Sequence, residues 1–227
     1  NPDVDCILIT NIKNLPDQYR NLYIEAGIQV RYVEFNKFVF ADETPWKFAY
    51  YKLCALSNIV ALGNHDKIIL VDVDTVFVRP IDQLIDDCDD IMLYCCSYPL
   101  SHQDRRVFLD EIDNFFHDNR KLLYYGGEFI AGPLEKLRLY LVECENVYEA
   151  LQKKHVYSVR GDEFIWSYAA ANLKIKGGGN AYINRLWTGR VYETTNLAWR
   201  YDVCILHLPS EKQTGLYWVY KFIKKHN

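Results

Sequence analysis

The chain has 227 residues, half of them hydrophobic, with a formal charge of −4 and an isoelectric point near 5.9. That length and apolar fraction suit one domain, 1–227, with a proper core. The acidic balance excludes a general nucleic-acid binder, which needs a basic face, and no stretch approaches the ~20 apolar residues of a membrane-spanning helix. Tyrosine (18) and Trp (five) suit a site that stacks bases or sugar rings, and equally an ordinary core. The seven Cys are odd in number and include no Cys-x-x-Cys pair, which favours reduced, buried thiols and a cytoplasmic location.

In chain order, Asp5 to Thr10 reads as a strand. A helix follows with Pro16 near its first turn, Tyr19, Leu22, Tyr23 and Ala26 at helical spacing, and Gly27 as its stop. Ile28 to Phe35 is a second strand, completing a βαβ unit whose crossover is expected to be right-handed. Thr44 as N-cap and Pro45 at the first helical position open a helix that runs through Leu62 to Gly63. Residues 67–80 then read Lys-Ile-Ile-Leu-Val-Asp-Val-Asp-Thr-Val-Phe-Val-Arg-Pro, a strand with the continuous hydrophobicity of a central position. A short acidic segment (Ile81 to Asp87) and a strand (Asp90 to Cys95) follow.

Ser101 to Asn119 has a helical apolar face in Phe108, Ile112 and Phe115, but is charged enough to be a mobile or acceptor-facing insertion. Leu122 to Pro133 reads as a strand interrupted by Gly126-Gly127. The clearest helix is Leu134 to Lys153, with Leu134, Leu137, Leu141, Cys144, Tyr148 and Leu151 at threes and fours. Gly161 to Leu173 is another, opened by Asp162, and the last strand ends at His207. Alternating strands and helices predict an α/β fold with a mostly parallel central sheet flanked by helices.

The chemistry concentrates at the end of the strand before Asp72. Ligands of open α/β sheets bind beyond such strand ends, and Asp72 and Asp74 offer the hard oxygen donors that Mn²⁺ or Mg²⁺ takes. An arbitrary Asp-x-Asp is more often a loop that caps the next helix; the strand in front and Val76-Phe77-Val78 behind favour a metal here. Lys52 lies within the preceding helix, where a cation could reach phosphate oxygens, although helical lysines are usually solvated. Gly126 and Gly127 permit a bend or the close approach of a substrate ring. Asp162 and Glu163, after Gly161, either cap a helix or present a carboxylate to a reacting sugar carbon. His207 is a structural residue or a further metal ligand, with Lys212 in the loop beyond.

Lys in a helix, Asp-x-Asp, a Gly-bearing strand, Gly-Asp-x and a late His followed by Lys together resemble the retaining glycosyltransferases of the GT-A fold. Glycogenin and the bacterial galactosyltransferases of its family are the nearest comparison. The Tyr-x-Gly-Gly-x-Phe-x-x-Gly-Pro stretch and Asp162-Glu163 also resemble the blood-group A/B transferase family. The resemblance runs from about Asp5 to Tyr217 and is most specific between Thr44 and Leu84. It implies that Asp72, Asp74 and His207 hold Mn²⁺ (or Mg²⁺), and that Lys52, Val73, Gly126, Gly127 and Lys212 contact a nucleotide-sugar donor, with a UDP-sugar the first expectation. Asp162 would match the carboxylate beside the anomeric carbon, and Glu163 that of the blood-group-like motif. The acceptor implied is a glycan, a lipid-linked molecule or a protein.

The sequence departs from the family in three places. Ser210 and Glu211-Lys212-Gln213 replace its Gly and Lys-Pro-Trp after the His, and Tyr125 replaces its Asn. The family's first strand and nucleotide-contacting loop have no counterpart, so either that strand lies outside this sequence or the base pocket is completed differently. A domain of this fold that binds nucleotide-sugars without transfer is the alternative. The basic-aromatic segment within 216–227 (Tyr217 to Lys225) is either a closing helix with a solvated Lys face or a weak contact with an anionic membrane surface.

Overall fold

The computed structural model describes residues 4–41, 43–187 and 202–226. They begin with the expected βαβ unit: β1 (Ile7–Thr10), α1 (Asp17–Glu25) and β2 (Gln29–Tyr32), with the strands parallel from Ile7 opposite Gln29 to Thr10 opposite Tyr32. Pro16 precedes the first turn, and Gly27 leaves the helix at φ +73°, a conformation that costs a residue without Cβ little. The apolar stripe expected on α1 is not buried; Tyr19 and Leu22 are exposed.

The helix expected from Thr44 starts later. Trp46 takes a left-handed φ of 57°, which α-helix excludes, and the buried Thr44 hydroxyl caps nothing among the described residues. A 3₁₀ turn (Lys47–Tyr50) then leads into α2 (Tyr51–Leu62), which stops at Gly63 as read.

After α2 come β3 (Lys67–Val71), β4 (Thr75–Phe77), α3 (Asp82–Asp87) and β5 (Met92–Cys95). The second half holds α4 (Gln103–Phe116), β6 (Tyr125–Pro133), α5 (Leu134–Lys153), α6 (Asp162–Asn172), β7 (Ile183–Arg185), β8 (Ile205–His207) and α7 (Gly215–His226). The α/β class holds, but the central sheet has the order β3-β6-β5 with both pairings antiparallel, not mostly parallel. The reason is that β6 is buried on both faces, so it shows no in-out alternation from which its direction could be read. β6 is also continuous through Gly126-Gly127, where an interruption was expected. A second sheet, β4-β8-β7, pairs β4 antiparallel and β7 parallel to β8.

The main core lies between the central sheet and α2, α4, α5 and α6, with Leu53, Phe108, Leu137, Tyr140, Phe164 and Trp166 fully buried. Alternate residues of β6 serve two cores: Ile130 faces this one, while Phe129 and Ala131 join Leu84, Ile183 and Ile205. α4 is built into the main core rather than being a mobile insertion. Phe108 and Ile112 are buried, Arg105 donates to the carbonyls of Tyr98 and Leu122, and the Ser158 hydroxyl and Val159 N–H donate to Glu111. No helix among the described residues is long and apolar enough to cross a membrane.

Candidate metal and carboxylate site

The chain leaves β3 at Val71 and turns sharply. The Asp72 N–H donates to the Glu128 carbonyl (3.1 Å), and the Thr75 N–H (3.2 Å) and hydroxyl (2.7 Å) both donate to the Asp72 carbonyl. Val73 stands at the apex, 83% exposed, while Asp72 and Asp74 turn inward on either side of it. His207 arrives from a distant part of the sequence because β8 pairs with β4 in a register that sets it opposite Thr75, and the Leu208 N–H donates to the Asp74 carbonyl (2.9 Å). His207 Nε2 therefore lies 3.1 Å from Asp74 Oδ1 and 3.9 Å from Asp72 Oδ2. One donor atom from each of the three residues falls within 4.8 Å of the other two. Two carboxylates and an imidazole are a donor set that Mn²⁺ accepts.

Two lysines flank this cluster. Lys52, the second residue of α2, is 3.2 Å from Asp72 Oδ1 and 2.9 Å from Asp162 Oδ2. Lys212 Nζ reaches Asp74 Oδ2 at 3.1 Å from a mostly exposed position. Burial alone would lower the Lys52 pKa, but the charges of Asp162 and Asp72 outweigh it and hold the ammonium firmly protonated. Burial likewise works against the Asp74 carboxylate, yet His207 and Lys212 hold its pKa well below the usual range. Against the burial that would lower it, the Asp74 and Glu128 carboxylates raise His207 to about 9.

Asp162 opens α6 directly after Gly161, and its carboxylate is nearly fully buried. Desolvation pushes its pKa up, with Lys52 opposing, and Trp166 Nε1–H donates to Oδ2 (2.9 Å). Glu163 is only partly buried; it accepts from the Tyr124 hydroxyl and from Arg185 (2.8 Å). The glycines before Glu128 have a visible function. A Cβ on Gly127 would collide with Asp162 Oδ2 and come within 2.9 Å of Lys52 Nζ, and one on Gly126 would collide with Glu128 and Arg185. The space they leave is filled by this chain's own ion pairs.

The fold thus gathers Asp72, Asp74, His207, Lys52, Lys212, Gly127 and Asp162 around one strand end, with Gly126 and Glu163 joined to them through Arg185 and Glu128. Two participants are not evident from sequence reading. Glu128 is fully buried, paired with Arg185 and 3.4 Å from His207 Nδ1, and these neighbours outweigh burial and lower its pKa to about 2. A lone carboxylate inside the apolar run Phe129-Ile130-Ala131 was the available signal. Arg185, in Tyr-Ile-Asn-Arg-Leu, carries no such signal. Compared with protein-family models the sequence matches none, and no curated protein matches it significantly.

Proposed function

We propose that this chain is a metal-dependent glycosyltransferase of GT-A type. It would move a sugar from a nucleotide-sugar, a UDP-sugar in the first instance, to a glycan, lipid-linked or protein acceptor with retention of anomeric configuration. The observation that supports this most is the convergence of Asp72, Asp74 and His207 beyond the β3 strand end, with a lysine on each side.

Mn²⁺ (or Mg²⁺) held by those three residues would neutralise charge growing on a diphosphate leaving group. Lys52 and Lys212 add fixed positive charge for the phosphate oxygens in a pre-organised site. Val73, exposed at the apex, would border the donor, while Gly126 and Gly127, expected to do so from the sequence, instead make room for the ion pairs behind the site. Retention follows either from front-face attack guided by the leaving phosphate or from a carboxylate nucleophile. Of the two carboxylates, Asp162 is enclosed by Lys52 and Trp166, whereas Glu163 keeps an accessible face; Glu163 is the better placed to meet a sugar, as nucleophile or as stabiliser of positive charge.

One observation favours the second reading, a nucleotide-sugar-binding domain without transfer: both carboxylates are already paired with cations, Asp162 with Lys52 and Glu163 with Arg185. The deciding experiment is a screen of UDP- and GDP-sugars with Mn²⁺, with and without acceptors, read as nucleoside diphosphate release. Metal-dependent release supports transfer. Calorimetric binding of the donor without any release identifies the binding domain, and neither binding nor release overturns both readings.

A further inference from the structure

Glu128 is the only charged residue of β6; its neighbours there are apolar or glycine. Burying a carboxylate in such a strand is costly unless it is paired and turned to a purpose. Arg185 supplies the pairing, since its guanidinium grips both oxygens of Glu128 in the two-pronged geometry that fixes a carboxylate's orientation. Arg185 does not need Glu128 for neutrality, because Glu163 lies 2.8 Å from the same Nη2. What the second carboxylate adds is a neighbour for His207. Its Oε1 sits 3.4 Å from Nδ1, which has no well-aligned hydrogen bond, on the side of the ring away from Asp72 and Asp74.

A neutral imidazole carries its proton on one nitrogen only. Nε2 lies 3.1 Å from Asp74 Oδ1, so it is the nitrogen a cation between the carboxylates would meet; with Nε2 given to that cation the ring's one proton is on Nδ1, where the ionised Glu128 is the acceptor at hand. We propose that Glu128 is a positioning residue of the metal site, holding His207 in the Nδ1–H tautomer with Nε2 aimed at the space beside Asp72 and Asp74. This rests on the metal reading above. A carboxylate that served only as a counter-charge to Arg185 would have no such effect on the imidazole.

The test is Mn²⁺ affinity without donor or acceptor, measured by electron paramagnetic resonance on the parent chain, Glu128→Gln, His207→Ala and the double variant. Glu128→Gln is expected to weaken binding by roughly 10–100-fold. In the His207→Ala background the same change is expected to cost less than about twofold, because its effect passes through the ring. Equal losses in both backgrounds, or parent-like binding by Glu128→Gln, overturn the proposal while the metal reading stands. A parent chain that binds no Mn²⁺ overturns both. Nitrogen-15 spectra of the parent loaded with diamagnetic Zn²⁺ need no variant: the His207 proton is expected on Nδ1, and a proton on Nε2 rejects the assignment.

Discussion

Asp74 is 4% exposed, yet His207 and Lys212 keep it ionised, as the proposed cation site requires. Asp72→Ala or Asp74→Ala is expected to lower metal-dependent transfer by orders of magnitude while the far-ultraviolet dichroism of the fold is retained. Glu163→Gln and Asp162→Asn, made singly, separate the two carboxylates. Glu163→Gln should reduce turnover more than it raises KM, and unchanged turnover in both would remove them from the reaction. The pH dependence follows from His207 and Glu128. Raised to about 9 in the fold, His207 contributes stability to the metal-free protein in full below its ordinary 6.5, and that contribution is gone once the pH has passed about 9. Glu128, held near 2, contributes in full above its ordinary 4.5 and loses that as the pH falls through about 2. Urea melts of the metal-free chain should therefore show a plateau between those ordinary values, falling on both sides. His207→Gln should flatten the alkaline limb.

Among the elements, the turn from β3 to β4 and the pairing of β4 with β8 place all three donor atoms, and β6 supplies the wall behind them. That wall depends on charge pairing inside it. Arg185→Met leaves Glu128 buried without its main partner and is expected to destabilise the fold by about 3–5 kcal/mol, read from the urea midpoint at unchanged slope. Close packing sets a second limit at Gly179, in the 3₁₀ turn before β7. A Cβ there would stand 2.8 Å from the Leu93 backbone and 2.9 Å from Phe129, neither of which is a flexible chain end. Gly179→Ala should therefore cost roughly 1–3 kcal/mol and lower Tm, although the residue touches no part of the proposed chemistry.

For the whole molecule, an ion that binds only the folded chain stabilises it by mass action. Mn²⁺ at about 100 times its Kd is worth roughly 2.7 kcal/mol, which for a chain of this length is a rise in Tm of roughly 5–10 °C. The rise should vanish in Asp74→Asn. The last helix carries a separate expectation. α7 packs Val219 inward with Leu216 and Trp218, and leaves Tyr217, Tyr220, Lys221, Lys224 and Lys225 exposed, an aromatic and cationic face suited to anionic lipid. Sedimentation with phosphatidylserine vesicles should show weak, salt-sensitive binding that is lost on removal of residues 215–227; equal binding without them would discard the membrane contact.

Much of this was legible along the chain, because periodicity and end signals are local. α5 was readable to the residue from its threes and fours, α6 from Asp162, β3 from its apolar run, and Asp72 with Asp74 from the carboxylates that end it. The start of α2 was not, since the left-handed turn at Trp46 overrides the capping pattern of Thr44-Pro45. Nor was the direction of β6, which sends apolar residues into both neighbouring cores and so reads alike either way along the sheet. Strand register and long-range charge pairing lay furthest from view. His207 meets Asp74 only because β8 aligns with β4 at Thr75, and Glu128 and Arg185 meet only once β6 and β7 are in place, for contacts between residues dozens of positions apart leave no periodic trace in the chain that makes them.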